Sequence, residues 1–279
     1  MLQRILNKAQ VLSLDVISGS CLTSWLVASF LNTNVSLVVY LALGLSVWLI
    51  YTLDHLIDAY EIKIVARTER HRFHQKYFKH LAYIWLFVAL LNLVLIAFYL
   101  PQETIRLGLL ASVFVAAHVI MVKVAGSRNH YLVQKEISVA INFTIGVMVG
   151  PVSFLKDFDW TVMFIFTEIF LLALLNLIEF SWFDFEEDKS QEQTSIAILL
   201  GKSKARHLLL VLLILGLLLL IIGFIMFHPK WIHVNLFIIY SVFLSLYSFP
   251  AYFKTANRYR RWGDLIFSSP LIFLLLEQL

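Results

Sequence analysis

The chain has 279 residues, of which 60% are hydrophobic and only 14% charged. A soluble domain carries about 25% charged residues, so this composition excludes a fully water-facing surface and makes lipid the natural solvent. The formal charge of +4 calls for no nucleic-acid partner, and the single cysteine, Cys21, excludes an intrachain disulfide framework.

The N-terminal MLQRILNKAQ carries two positive charges ahead of a long apolar run that lacks a small-residue cleavage pattern, so it reads as a retained first membrane helix rather than a signal peptide. A spanning helix needs about 20 mainly apolar residues. By that criterion the expected spans are roughly 11–31, 34–57, 80–100, 104–122, 136–155, 160–183, 207–227, 233–253 and 263–278, the last short and interrupted by Pro270. The fold class expected is therefore all-α: a polytopic bundle of about nine helices around a central cavity, one domain over residues 1–279, with the N-terminus cytoplasmic. The basic residues support that count. With the N-terminus inside, every Lys and Arg except Arg106, Lys156 and Lys230 falls on the cytoplasmic side. The two long polar loops, 59–79 and 184–206, face that side as well, and function concentrates in such loops.

The second span closes on YTLDHLIDAYEIK and the sixth on FSWFDFEEDK. Each carries two aspartates four residues apart, Asp54 with Asp58 and Asp184 with Asp188, so each pair shares one helical face. A helix C-terminus already bears partial negative charge and disfavours carboxylates. Nothing in folding asks for that arrangement twice. Ordinary interfacial acids answering nearby Arg and Lys are the alternative. Four carboxylates at one membrane edge suit Mg²⁺, which takes one or two carboxylates plus waters and substrate phosphates. Two such ions would bridge a diphosphate to the acidic walls, with Arg67, Arg70, Lys123 and Lys135 completing the anion site.

These motifs resemble the UbiA superfamily of intramembrane prenyltransferases, whose acid-rich motifs follow the second and sixth of nine helices. ARTERH (Ala66–His71) is similar to the family's R-T-x-x-R element. TSIAILLGK (Thr194–Lys202) is similar to the stretch after its second motif, and QKEISVAINFTIGVMVGP (Gln134–Pro151) to its fifth helix. Lys123 falls where a fourth-helix lysine is usual. The sequence departs from the pattern at Ile50, where the first motif has Asn, and at Phe180, where the second has Asp. Asn176 and Glu179 lie close enough to the second lost position to substitute in part. The resemblance implies a Mg²⁺-dependent prenyltransferase whose isoprenoid diphosphate donor keeps its head at Asp54, Asp58, Asp184 and Asp188 and its tail in an apolar tunnel open to lipid. A small lipophilic acceptor, aromatic or otherwise, then attacks the allylic carbon. The alternative is a non-catalytic or degenerate relative that binds or transports isoprenoids.

Other polar residues read more plainly. Asp15 and Glu168 are acids inside spans, which usually face a cavity or a partner; Glu168 reads as a packing or tunnel residue. Asn142 is either an interhelical donor or a pocket group. His71, His74 and His80 share one loop with irregular spacing, so a metal role is set aside in favour of a basic segment touching lipid headgroups. NRYRRWGD, near the C-terminus, reads as an interfacial anchor.

Overall fold

The computed structural model describes residues 10–61, 69–125, 135–190, 193–227 and 231–276. Among them every regular element is helical. In chain order these are α1 (Leu14–Phe30), α2 (Leu37–Glu61), α3 (Glu69–Lys76), α4 (Phe78–Tyr99), α5 (Gln102–Ala125), α6 (Lys135–Ser153) and α7 (Trp160–Phe183). They continue with α8 (Phe185–Ser190), α9 (Ile196–Leu200), α10 (Lys202–Met226), α11 (Trp231–Ser248), α12 (Pro250–Lys254), α13 (Arg258–Leu265) and α14 (Pro270–Leu276).

Seven of these, α2, α4, α5, α6, α7, α10 and α11, are long and apolar enough to cross a bilayer. The expected first span is a 17-residue helix. The expected ninth span is not one helix: a 3₁₀ turn over Ile266–Ser268 separates α13 from α14, and Pro270 opens the new helix because it cannot supply an interior N–H. The eighth stops at Ser248 for the same reason, with Pro250 starting α12.

Local chemistry sets the other boundaries. Leu100 is extended, as the residue before Pro101 must tend to be, and ends α4. Asp159 caps α7 by accepting from the Thr161 N–H at 2.9 Å.

Hydropathy alone makes the long helices look alike, but packing ranks them. In its most apolar stretch α7 is 56% buried while α5 is only 6% buried, so α7 is the central post and α5 lies against lipid. α6, α9, α10, α11 and α13 pack on α7. α1 bridges α2, α6 and the segment around Ile266–Ser268, while α2 takes α3 and α4 on its outer side. Inside this core the Tyr240 hydroxyl donates to Glu168 Oε2 at 2.6 Å, both residues being fully buried. Glu168 is thereby a packing residue with a partner. Tyr240 fits because α10 has glycine at 216, where a Cβ would collide with its ring.

Candidate active site

The site grows from the end of α7. That helix carries buried Asn176 and Glu179 about one turn apart and ends at Asp184, its C-cap. The Asp188 N–H donates to the Asp184 carbonyl at 2.8 Å, so a helical turn carries the chain into α8 and keeps both carboxylates on one side.

Asp184 is only 8% exposed. Its Oδ1 accepts from the Tyr259 hydroxyl, and its Oδ2 accepts from Arg260 Nη2 at 2.5 Å. Arg260 Nε also donates to the Tyr259 oxygen at 3.3 Å. The buried Tyr259 ring stacks on Phe183 at 4.4 Å and meets Phe180 edge-on at 5.9 Å. The guanidinium lies over the Phe180 ring at 5.7 Å. Helix α13 approaches this closely because residue 263 is glycine: a Cβ there would stand 2.6 Å from Phe180 Cε1 and press on Asn176 Oδ1. Phe180, which departs from the family pattern, is thus the floor on which α13 sits.

Asp188 is half-buried, accepts from the Ser195 side chain and feels the charges of Lys135 and Arg260. Burial pushes its carboxyl above the ordinary value, the Asp184 charge adds to that, and Ser195, Lys135 and Arg260 recover part of it. Burial alone would lower Arg260, but Asp184 and the Tyr259 oxygen more than offset it, so the guanidinium is held firmly charged. Ser195 is aimed by its own segment. The Ile196 N–H donates to Glu136 Oε1 at 2.8 Å and the Ala197 N–H to Ser181 Oγ at 3.0 Å, which ties α9 to both α6 and α7.

The residues expected from sequence divide accordingly. Asp184, Asp188 and Lys135 come together, with Asn176 and Glu179 deeper along α7. Asn142 is half-buried and its Oδ1, like that of Asn176, meets no donor among the described residues. Asp54 is exposed near the end of α2. Asp58, Arg70 and Lys123 belong to α2, α3 and α5, but their side chains lie outside the description, and Arg67 lies outside the described residues altogether.

Among the described residues no three acid, His or Cys side chains converge as a metal cage. The donor set still suits Mg²⁺, because aspartate oxygens are the hard ligands it takes and Asp54 stands in water's reach. Leu53, Leu56, Ile57 and Tyr60 of α2 face Phe78, Ala82 and Trp85 of α4 across an apolar groove of about 400 Å³.

Sequence reasoning missed Tyr259, Arg260, Ser195 and Glu136. NRYRRWGD is not merely an interfacial anchor. The one available signal was a tyrosine wedged into an arginine run beside Gly263, and it gives no hint of which helix it meets.

Comparison with known proteins yields one family and a shared fold. The model of the UbiA prenyltransferase family matches residues 17–269. Among solved structures, a UbiA homolog from Aeropyrum pernix K1 in its apo form is 14% identical, with 96% of this chain and 99% of that chain aligned and a TM-score of 0.61. A digeranylgeranylglyceryl phosphate synthase is also 14% identical, with 95% of each chain aligned and a TM-score of 0.57. No curated protein matches significantly.

Proposed function

Because this multi-pass membrane chain belongs to the UbiA prenyltransferase family, we propose that it transfers a prenyl group, with Mg²⁺, from an isoprenoid diphosphate to a small lipophilic acceptor. The observation that carries this reading is the α7 terminus, where two aspartates meet Arg260 and Lys135 beside a segment pinned by Glu136. Acids that hold a cation, next to fixed cations, are what a departing diphosphate needs.

In this reading Asp54, Asp58, Asp184 and Asp188 surround the donor's head, and Arg67, Arg70, Lys123 and Lys135 face its phosphates. Asn142, Asn176 and Glu179 line the deeper part of the pocket. Mg²⁺ held by the aspartates would neutralise the diphosphate as the allylic C1–O bond breaks. The groove between α2 and α4 suits an isoprenoid tail, being apolar and lined by Leu53, the chain neighbour of Asp54. The acceptor's electron pair forms the new bond to C1, and the packed aromatic floor of Phe180, Phe183 and Tyr259 keeps water away. The short α1 and the broken 258–276 segment complete nine spans, with the N-terminus and the site on the cytoplasmic side, where the basic residues gather.

The test is binding of labelled geranylgeranyl diphosphate to purified protein with and without Mg²⁺. Mg²⁺-dependent binding is expected, together with its loss in Asp54→Ala and in Asp184→Ala. Binding that persists in the doubly substituted chain contradicts the site.

A further inference from the structure

The end of α7 faces two ways. Asp184 turns to α13, while Trp182, two residues earlier and so on the opposite side of the helix, turns to the start of α10. The Trp182 indole N–H donates to the Lys202 carbonyl at 3.1 Å, which fixes the ring. Two cations of α10 lie over it: Lys202 Nζ at 5.6 Å from the centroid and the Arg206 guanidinium at 5.7 Å. Arg206 also lies over Tyr247, in the last turn of α11, at 5.0 Å. One guanidinium is thus held by two rings from two other helices.

Its donors are unspent. Arg206 is exposed, and no carboxylate or carbonyl among the described residues accepts from it. The half-buried Tyr247 likewise donates its hydroxyl to no described residue. Acids are near but belong elsewhere. Glu186 takes Lys202 at 3.3 Å, and Asp188 serves Ser195 and Lys135. Glu187 and Lys189, both exposed on α8, are opposite in sign. Lys204 and Arg206 remain in excess, so this edge is net positive. Topology alone produces a positive membrane edge. It does not ask for an arginine held by two aromatic rings with its donors open.

The apolar surface of the same helix completes the site. One and two turns along α10 from Arg206 come Leu210 and Ile214, 36% and 49% exposed, and on α11 Leu244, about one turn from Tyr247, is 45% exposed. A donor-rich, positive head site therefore tops an apolar strip that meets lipid. A free phosphate would use the first part only; a phospholipid uses both.

We propose that Arg206, held by Trp182 and Tyr247, binds the phosphate of an anionic phospholipid whose acyl chain runs along Leu210 and Ile214. This requires only that the chain spans a membrane and is independent of the prenyl-transfer reading. The guanidinium offers a fork of N–H donors to phosphate oxygens. Lys204 favours a lipid of net negative charge over a zwitterionic one.

The test is native mass spectrometry of the detergent-purified full-length chain, titrated with phosphatidylglycerol or with phosphatidylcholine of the same acyl chains. The parent should bind phosphatidylglycerol about fivefold more tightly or better, the worth of one basic residue at an anionic surface. Arg206→Gln should remove most of that preference. Arg206→Lys keeps the charge and loses the fork, so it should still weaken phosphatidylglycerol binding about threefold, and it carries the test should the glutamine variant not fold. Arg106→Gln, on a residue paired with Glu103 near the opposite edge, should leave the preference intact. Equal binding of the two lipids by the parent overturns the proposal, as does an Arg206 variant that retains the parent's affinity. An equal loss in Arg106→Gln also overturns it, because the preference would then be a general effect of charge. Displacement of phosphatidylglycerol by millimolar glycerol 3-phosphate would assign the site to soluble phosphate esters and overturn the phospholipid reading.

Discussion

Tyr259→Phe isolates one atom of the Asp184 arrangement. The substitution deletes the hydroxyl that donates to Asp184 Oδ1 and keeps the ring stacked on Phe183 at 4.4 Å and against Phe180 at 5.9 Å. Packing of α13 should therefore survive. A hydrogen bond to a charged group is worth about 1.5–3 kcal/mol. Asp184 is 8% exposed, so water replaces the lost donor poorly, and the half-exposed Arg260 is left as its main partner. A loss of about 2 kcal/mol is expected, read from SDS-induced unfolding of the detergent-solubilised chain. The assignment to this one bond is checked by a double-mutant cycle with Asp184→Asn, which should show coupling of about 1 kcal/mol or more. Energies that add to within about 0.5 kcal/mol would mean that the hydroxyl and the carboxylate do not act together, and would refute the reasoning.

Three further outcomes follow from the same geometry. Glu136→Ala removes the acceptor for the buried Ile196 N–H and should destabilise the chain by about 1–3 kcal/mol; Glu136→Gln, which keeps an acceptor, should recover most of that in the same unfolding assay. Asp188 sits above its ordinary carboxyl value, so its share of stability is fully present below about pH 4 and is lost as pH rises through its folded-state value. Asp188→Asn should therefore flatten stability across the acid range and cost nothing at pH 7, while weakening diphosphate binding; a clear loss of stability at pH 7 contradicts this. Glu168→Gln should leave diphosphate binding within about twofold of the parent, because Glu168 serves Tyr240 inside the core, whereas Tyr240→Phe should destabilise by about 1–3 kcal/mol by leaving that side chain without its donor.

Much of the fold could be read directly from the chain, for a definite reason. Lipid-facing helices need long uninterrupted apolar runs, and Pro101 and Asp159 mark ends that the structure places within a few residues, whereas the expected eighth span, 233–253, runs through Pro250, where the structure breaks it. The sixth span, 160–183, coincides with α7. What hydropathy does not carry is rank: α5 and α7 are similar in hydropathy, at 1.9 and 2.2, yet one meets lipid and the other is the core. The broken C-terminal segment escaped for a related reason, since apolar composition does not separate a continuous helix from two short ones joined by a 3₁₀ turn. At the site, aspartate spacing was legible because i, i+4 geometry is local. The Tyr259–Arg260 grip on Asp184 was not, because it depends on the fit of Gly263 over Phe180 between distant segments. Phe180 looked like a simple loss from a motif; its ring instead seats α13.

The most direct measurement of the central claim follows the label. Membranes with and without this chain are supplied with Mg²⁺ and an isoprenoid diphosphate carrying label in its prenyl group, and lipid extracts and released pyrophosphate are compared. Prenyl transfer requires label in a new lipophilic product, matched by equimolar pyrophosphate, and lost with Asp54→Ala plus Asp184→Ala. Label that is bound and returned as intact diphosphate, with no product above the membranes lacking the chain, would contradict transfer and leave a protein that only binds isoprenoids.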